Sequence, residues 1–338
     1  MGIIKNDLNE IISFFKDGWD HFKNKNLLIT GGTGFFGKTI VSSLIHANNL
    51  LDLKCNIFII TRKENLNSKY YGIEDKYSAL NFICSDIISF SNKIDNIDYI
   101  IHGASTYIKA IEFKSSKHTL ETIIIGTKNI LEFAKDQKNL KSLLIISSGA
   151  IYGANKHSNK PISENDYHDL DLNDNLSSYS LGKKTAELYS LNYMSEYNLP
   201  IKIVRCFTFV GPLMNFEQKL AFTSFISSYR NSKNITVQNK NTVRSYMYST
   251  DLINWLFKVL VFSENGSIYN VGSDEQITMG ILAKKIAAYN QNLKYFNNFI
   301  DQANMYVPNI QKIKNDLNLE INIKIDESIS RVIKYLNN

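Results

Sequence analysis

The residues in this chain best suited to chemistry are a tyrosine and a lysine one helical turn apart, with a serine upstream. Tyr179 and Lys183 are four positions apart, so a helix would present both side chains on one face. Because an ammonium group stabilises a neighbouring phenolate, this tyrosine could release or accept a proton. The hydroxyl of Ser148, thirty-one residues before Tyr179, could hold a substrate oxygen. The three side chains together suit proton transfer at a carbinol while a nicotinamide carries the hydride.

Such a pair is common on helix surfaces, so its meaning depends on whether a dinucleotide site stands upstream. Gly31, Gly34 and Gly37 follow a short apolar run and open a helical pattern. Glycines at this spacing permit a tight turn and a close approach of the backbone to a pyrophosphate, which then faces a helix N-terminus. The residues predicted to bind the dinucleotide here are Gly31, Thr33, Gly34, Phe35, Phe36 and Gly37.

The end of the next strand indicates which cofactor is preferred. Sites for NAD usually have Asp or Glu there, which binds the ribose 2′-hydroxyl. This sequence has Thr61, Arg62 and Lys63 instead, and two cations suit a 2′-phosphate. We therefore predict NADP(H), with NAD(H) as the alternative. Asp86 and Ile87, after the third strand, are predicted to contact the adenine.

Short apolar runs alternate with helical patterns from residue 26 onward. Continuously apolar strands that alternate with helices are typical of a parallel sheet covered on both faces. We therefore predict an α/β fold with a Rossmann-like, doubly wound parallel sheet. The predicted strands are Leu27–Thr30, Ile57–Thr61, Asn81–Cys84, Tyr99–His102, Ser142–Ser147 and Ile201–Cys206, and the clearest helices are Phe36–His46, Leu120–Lys135 and Tyr179–Tyr197.

This alternation ends at Pro212, after which helical stretches mix with short strands. We predict that this region is a smaller C-terminal substrate-binding cap over the C-terminal edge of the sheet, where ligands bind in such folds. Residues 1–24 have apolar side chains at three- and four-residue spacing, which predicts an N-terminal helical arm. The predicted domains are therefore the arm (1–24), the Rossmann dinucleotide-binding domain (25–212), to which parts of the later chain return, and a region that is mainly cap (213–338).

Composition excludes several other classes of protein. The net charge is only +6 over 338 residues, and the lysines are interleaved with acids, so we predict no binding of nucleic acid. Cys55, Cys84 and Cys206 are far apart in apolar runs, which indicates reduced, buried thiols in a cytoplasmic protein and no metal site. Charged residues interrupt the N-terminal region and no apolar stretch is long enough for a membrane span, so we predict neither a signal peptide nor membrane insertion.

Several motifs occur in the order found in a known family. The chain resembles the extended short-chain dehydrogenase/reductases that act on nucleotide sugars, also called the NAD-dependent epimerase/dehydratase family. The resemblance extends from about residue 26 to 336. Its motifs are Thr30-Gly-Gly-Thr-Gly-Phe-Phe-Gly37, Asp86-Ile87, His102-Gly-Ala-Ser105, Ser147-Ser-Gly-Ala-Ile-Tyr-Gly153, Tyr179-x-x-x-Lys183, Arg205-Cys-Phe-Thr-Phe-Val-Gly-Pro212, Arg244-Ser-Tyr246 with Asp251, and Tyr269-Asn-Val-Gly272.

This resemblance implies a role for individual residues and a nucleotide-diphosphate sugar as substrate. Tyr179 would be the catalytic acid/base, and Lys183 would support it and hold the nicotinamide ribose. Ser148 would hydrogen-bond the sugar oxygen that is oxidised or reduced. The residues implied only in binding are Gly103, Ala104 and Ser105 for the cofactor, and Thr208 and Arg244 for the substrate phosphates.

The two positions after Ser148 separate the reactions of the family. Members that eliminate water from the sugar typically have an Asp-Glu pair there, and decarboxylases keep a Glu at the second position. This chain has Gly149 and Ala150, and neither can transfer a proton. We therefore predict a 4-keto-sugar reductase in deoxysugar or surface-polysaccharide precursor synthesis, with an epimerase that retains its cofactor as the alternative. Dehydration and decarboxylation rank lower, and a non-catalytic nucleotide-sensing protein ranks last.

The resemblance also implies how two copies of the chain assemble. In similar proteins, the helices that match residues 120–135 and 179–197 pair into a four-helix contact between two subunits. We therefore predict a homodimer.

Overall fold

The structure is a computed structural model that describes residues 2–91, 94–105, 116–153, 160–166, 169–172, 177–218, 220–290, 292–297 and 304–337. The strands in these ranges are β1 (Asn26–Thr30), β2 (Asn56–Thr61), β3 (Leu80–Cys84), β4 (Tyr99–His102), β5 (Ser142–Ser148), β6 (Ile201–Cys206), β7 (Phe209–Val210), β8 (Ile235–Val237), β9 (Val243–Arg244), β10 (Met247–Tyr248), β11 (Ile268–Val271), β12 (Ile277–Thr278), β13 (Tyr295–Asn297) and β14 (Met305–Tyr306).

Seven of these strands form one parallel sheet in the order β11-β6-β5-β4-β1-β2-β3. The chain starts near the middle, runs to one edge through β2 and β3, and then crosses back to build the other half. This confirms the predicted α/β fold with a doubly wound parallel sheet. The helices in the described ranges are α1 (Gly2–Phe15), α2 (Phe35–Leu51), α3 (Ser116–Lys135), α4 (Ser177–Tyr197), α5 (Ala221–Arg230), α6 (Ser249–Phe262), α7 (Met279–Ala287), α8 (Gln311–Leu317) and α9 (Ile325–Asn337).

The central strand β1 is covered on both faces. Successive side chains of a strand point to opposite faces of the sheet. Leu28 accordingly belongs to one buried cluster with Ile130 of α3, whereas Ile29 belongs to another with Leu44 of α2. This double burial explains why the strand sequences are apolar throughout and do not alternate with polar residues.

The cap has a hydrophobic core of its own. Buried side chains from α5, β8, α7 and α9 meet in this core, among them Phe222, Val237, Leu282 and Ile329. The chain leaves the large sheet after β6 and returns to it for β11, which pairs in parallel with β6.

The N-terminal segment packs against helix α6. Residues 2–22 form α1 and a 3₁₀ helix, Lys16–Phe22. The rings of Phe15, Trp19 and Phe22 have their centroids 5.5, 5.4 and 5.6 Å from that of Phe257. The three rings are buried, and they belong to the hydrophobic cluster that also contains Leu27 and Ile29 of β1.

One of the three thiols is not where the sequence predicted it. Cys55 and Cys206 are buried, but Cys84 is exposed. Cys84 ends β3, which is the edge strand of the sheet and is only partly covered along its length. Within the described ranges, no helix combines the length and hydropathy that a membrane crossing requires. The same ranges contain no cluster of three or more potential metal-ligating side chains.

Candidate active site

The loop between β1 and α2 is closely packed against its neighbours. Gly31 has a φ of +75°, and a Cβ there would lie 2.8 Å from the carbonyl carbon and oxygen of Gly103. A Cβ on Gly37 would lie 2.2 Å from the carbonyl oxygen of Gly31. Larger residues would therefore distort the turn that directs the N-terminus of α2 outward. The loop fits a pyrophosphate, which would contact backbone and the helix N-terminus.

A cleft of about 1490 Å³ extends from this loop, across the C-terminal ends of the strands, into the cap. Every residue assigned to the cofactor or substrate from the sequence lies on it, from the glycine loop and the ends of β2 and β3 to Thr208 and Arg244. Their common location fits a dinucleotide on the sheet side and a second ligand on the cap side. The contacts of each residue with these ligands stay predictions.

The three side chains predicted to do the chemistry all line this cleft. Ser148 is the last residue of β5, and its Oγ accepts the backbone N–H of Ala150 at 3.1 Å. This bond caps the short 3₁₀ turn Gly149–Tyr152 and leaves the serine hydrogen to be donated to a ligand. Tyr179 and Lys183 lie one turn apart on α4, and both are nearly buried (8% and 5% exposed).

Lys183 is held by the backbone of the strand next to it. Its Nζ donates a hydrogen bond of 2.6 Å to the carbonyl oxygen of Ile146. Burial lowers the pKa of Lys183 to about 8, although Cys206 and Glu187 act in the opposite direction. The ammonium group therefore loses its proton as the pH rises through about 8.

His102, at the end of β4, is a buried neutral residue. Burial, with Lys183 nearby, lowers its pKa to about 3. Its Nδ1 lies 2.8 Å from Thr30 Oγ1, and its Nε2 lies 3.1 Å from Thr127 Oγ1. Thr30 Oγ1 also accepts the backbone N–H groups of Gly103 and Ala104, both at 3.1 Å. Because these bonds occupy both lone pairs of the hydroxyl oxygen, its hydrogen points to the imidazole. His102 therefore links β1, β4 and α3 and is not suited to donate a proton to substrate.

Basic side chains gather at the end of β2, around an aromatic ring. The Nζ atoms of Lys38 and Lys63 lie 4.7 and 4.9 Å from the ring centroid of Tyr70. Lys63 also donates to the Tyr70 hydroxyl at 3.2 Å. Arg62 forms a loose ion pair with Asp86 at 3.8 Å and stays more than half exposed. Arg62 and Lys63 were predicted from the sequence, whereas Lys38 and Tyr70 were missed.

On the cap side, Arg244 and Tyr306 are direct partners across β9 and β14. The guanidinium carbon of Arg244 lies 5.9 Å from the centroid of the Tyr306 ring. Arg244 Nη1 donates to the carbonyl oxygens of Val243 and Asn304 at 2.8 and 3.3 Å. These contacts set the arginine along the wall of the cleft.

Tyr306 also fills the space beside Gly149. A Cβ on Gly149 would lie 2.5 Å from the hydroxyl oxygen of Tyr306 and 2.9 Å from ring carbons of Phe207. The centroids of these two rings are 4.7 Å apart. The volume that a side chain at position 149 would need is therefore occupied by an aromatic pair from β14 and the end of β6.

A comparison with known families decides the identity of this fold. The model of the NAD dependent epimerase/dehydratase family matches residues 27–272, which is most of the chain. The chain belongs to this family. The predicted resemblance is thereby confirmed, as is the prediction of an enzyme of the extended short-chain dehydrogenase/reductase type.

Two curated members of the family illustrate its range. A dTDP-D-glucose 4,6-dehydratase of Dictyostelium discoideum is 30% identical over 277 residues, which cover 78% of this chain and 61% of that protein. The chain thus spans less than two thirds of that relative's length. UDP-glucuronic acid decarboxylase 6 of Arabidopsis thaliana is 26% identical over 310 residues, 90% of this chain and 87% of that protein.

A solved structure shares the family fold over nearly its whole length. The dTDP-glucose 4,6-dehydratase of Streptomyces venezuelae, with NAD and TYD bound, aligns with a TM-score of 0.75 at 21% identity. The alignment covers 92% of this chain and 97% of that one. At this identity the likeness demonstrates the fold alone.

Two of the residues that sequence reasoning missed come from distant segments: Tyr306 lines the cleft, and the Tyr70 hydroxyl donates to the carbonyl oxygen of Thr33 at 3.2 Å. Tyr70 arrives on the 3₁₀ helix Ser68–Tyr71, and Tyr306 on the short strand β14. Neither segment has a repeating pattern that predicts its location. Lys38 and Glu187 had a usable signal, because Lys38 follows the third glycine of the loop and Glu187 is four residues after Lys183.

Proposed function

We propose that this chain is an NADPH-dependent reductase that converts the keto group at C4 of a nucleotide-diphosphate sugar to an alcohol. The observation that carries this proposal is the environment of Gly149. The carboxylates that elimination and decarboxylation require have no counterpart at Gly149 and Ala150, and aromatic side chains fill the space at position 149. Reduction needs only Ser148, Tyr179, Lys183 and the nicotinamide.

When bound, the reduced nicotinamide supplies the hydride to the carbonyl carbon. Ser148 donates its hydroxyl hydrogen to the carbonyl oxygen and orients it, while the serine oxygen itself accepts the N–H of Ala150. Tyr179 transfers its phenolic proton to the same oxygen as negative charge develops there. Lys183, fixed on Ile146, stabilises the phenolate that remains until the tyrosine is reprotonated from solvent.

The proposal differs from the activities named for the two curated relatives, a dehydratase and a decarboxylase. A positioned acid or base typically contributes about 10²–10⁴-fold in rate. A chain with glycine and alanine at these two positions would lose that contribution. Similarity to a dehydratase and a decarboxylase is therefore not sufficient to assign either reaction to this chain. The family description also includes epimerases, which use the same three side chains but keep their cofactor.

One assay separates the reductase from the epimerase. Purified protein is incubated with NADPH and 4-keto nucleotide sugars, and the absorbance of NADPH is followed while products are separated. Stoichiometric consumption of NADPH with one alcohol product supports reduction. Isomer formation without net consumption would favour the epimerase, and no conversion of either kind would favour a binding protein.

The preference for NADP(H) is part of the proposal and rests on the cations near the end of β2. Arg62 is more than half exposed beside the cleft, and a charge-assisted bond to a phosphate is stronger than a neutral one. We expect Arg62→Ala to weaken NADPH binding at least about tenfold and to leave NADH binding within about twofold. Fluorescence titration of both nucleotides measures this.

The matched control for Arg62 is Lys54→Ala, which removes an exposed cation paired with Asp52 just before β2, away from the cleft. Equal affinity of the Arg62→Ala and control proteins for NADPH would contradict the assignment. NAD(H) would then be the cofactor, as in the Streptomyces venezuelae dehydratase structure with NAD bound.

A homodimer through α3 and α4 is also proposed. The two helices pack together, and Ile125, Leu181 and Leu188 expose 37%, 39% and 59% of their surface on them. Exposed apolar side chains grouped on one face favour an interface. We expect light scattering to give twice the chain mass and Leu188→Glu to give a monomer. Leu172→Glu, which changes a more exposed leucine outside these helices, should stay dimeric.

A further inference from the structure

Behind the catalytic side chains lies a buried carboxylate that the proposed reaction does not use. Glu187 is on α4, four residues after Lys183, and is only 5% exposed. Its Oε1 accepts a hydrogen bond from Ser147 Oγ at 2.5 Å. Ser147 immediately precedes Ser148 on β5, so this hydrogen bond joins α4, which carries Tyr179 and Lys183, to the strand that carries Ser148.

Arg205 of β6 binds the other side of this carboxylate. Its Nε lies 3.2 and 3.1 Å from the two carboxylate oxygens of Glu187, and its Nη2 lies 2.8 Å from Oε2. A forked contact of this kind fixes the direction of the carboxylate as well as its distance. Ser147 and Arg205 are direct partners across β5 and β6, and both bind Glu187. The cluster therefore connects α4 to two neighbouring strands at the same position along the sheet.

Further hydrogen bonds extend this cluster. Arg205 Nη1 donates to the Tyr152 hydroxyl and to the carbonyl oxygen of Glu164, both at 2.8 Å. Tyr152 in turn donates to Asn270 Oδ1 at 2.8 Å. The free energy needed to desolvate both charges offsets much of the attraction between Glu187 and Arg205. A buried ion pair of this kind therefore adds little net stability, and its geometry points to a positioning role.

Glu187 also has an electrostatic effect on Lys183. Groups that face Lys183 from the described elements are His102 on β4, Cys206 on β6, and Tyr179 and Glu187 on α4 itself. Burial holds the pKa of His102 at about 3 and raises that of the Cys206 thiol to about 12, so both are neutral near physiological pH. Cys206 and then Glu187 favour the ammonium form of Lys183, and of these two Glu187 is the one held in an ion pair, with Arg205.

We propose that Glu187, clamped by Arg205 and Ser147, is a positioning residue that sets the rotation of α4 and keeps Lys183 protonated. The rotation turns Tyr179 and Lys183 toward the cleft that Ser148 also lines. This inference rests on the proposed proton transfer by Tyr179. It concerns the residues that position the catalytic side chains and does not depend on which sugar is bound.

The test compares the wild-type protein with Glu187→Gln and with the double variant Glu187→Gln/Arg205→Met. Binding of NADPH and of NADH is followed by nucleotide fluorescence across neutral and alkaline pH, beside turnover. In Glu187→Gln we expect the pH midpoint for alkaline loss of nucleotide affinity to fall by about one unit, whereas in the double variant the loss of the positive charge of Arg205 should offset part of that fall. We also expect kcat to fall about 10–100-fold, with KM for the sugar within about threefold.

The double variant separates positioning from stability. Glu187→Gln leaves Arg205 buried without its anion and should melt at lower temperature, whereas removing both charges should restore the melting temperature. Restored melting with a still lowered kcat in the double variant supports the proposal. An alkaline midpoint of Glu187→Gln equal to that of wild type, or full recovery of kcat in the double variant, overturns it.

Glu132→Gln is the matched control, because Glu132 lies on α3 and bonds Lys135 at 2.8 Å, outside the cleft. It should change neither the midpoint nor kcat. Failure of the wild-type protein to reduce 4-keto sugars would overturn the proposed function. The nucleotide-binding midpoints would still decide the role of Glu187 in that case.

Discussion

Replacing Tyr179 with phenylalanine is expected to lower turnover about 10²–10⁴-fold while leaving nucleotide binding within about twofold. The change removes the phenolic hydroxyl and keeps the ring, which packs against Ile123 and Ala186. Without that hydroxyl, the developing alkoxide has no acid one turn from Lys183. Initial rates with NADPH and a 4-keto nucleotide sugar, together with nucleotide titration of the same preparation, measure both quantities.

The control for this variant is Tyr193→Phe, which removes another phenolic hydroxyl from the same helix. The Tyr193 hydroxyl donates to Glu132 and lies outside the cleft. Its turnover should match wild type. Unchanged turnover in Tyr179→Phe would refute the assignment of the acid. Loss of turnover together with loss of nucleotide binding would mean that the phenol supports the cofactor site and does not act on the sugar alone.

Introducing an acid at Gly149 is expected to inactivate the enzyme without creating a dehydratase. The first side-chain carbon of Gly149→Asp would lie 2.5 Å from the hydroxyl oxygen of Tyr306, so the ring pair with Phe207 must move. Overpacking of this kind typically costs about 1–3 kcal/mol of stability. We expect turnover to fall about 100-fold or more, because the displaced rings line the cleft. Mass spectrometry should detect no loss of water from a nucleotide-glucose.

Two further variants separate the steric effect from the charge. Gly149→Ala brings the clash without a carboxylate, and it should lower turnover nearly as far. Gly149→Asp/Tyr306→Ala removes the opposing hydroxyl and should recover part of the melting temperature. Elimination of water by the single Gly149→Asp variant would contradict this account, since it would mean that the aromatic pair yields and that only the missing acid determines the reaction.

The parts of the site predicted from the sequence are those encoded within one short segment. The glycine loop, the end of β2 and the pair Tyr179 and Lys183 each follow from local spacing, and the structure brings them to one cleft. The sheet was also predictable, because strands buried on both faces are apolar throughout. The exposure of Cys84 was not, since it depends on β3 lying at an edge.

The parts of the site that the sequence did not predict depend on contacts between distant segments. Tyr306 reaches Gly149 from strand β14, which has two residues and no repeating pattern. The same holds for Arg205, whose role follows from its alignment with Ser147 across two strands and from the rotation of α4 toward Glu187. Such relations depend on the register of the sheet and on helix packing, and neither is encoded in the spacing along one segment.

The late return of β11 to the sheet has a consequence for how the chain folds. Strand β6 pairs with β11 on its outer side, and between the two the chain passes through β7, α5, β8, β9, β10 and α6. Until residues 268–271 arrive, β6 offers a row of unpaired N–H and C=O groups, which can template association with other chains. Pairing across so long a separation is also slow. Aggregation during expression is therefore expected to begin at the β6 edge, beside the strand that ends in Ser148, and to lessen at low temperature and low protein concentration.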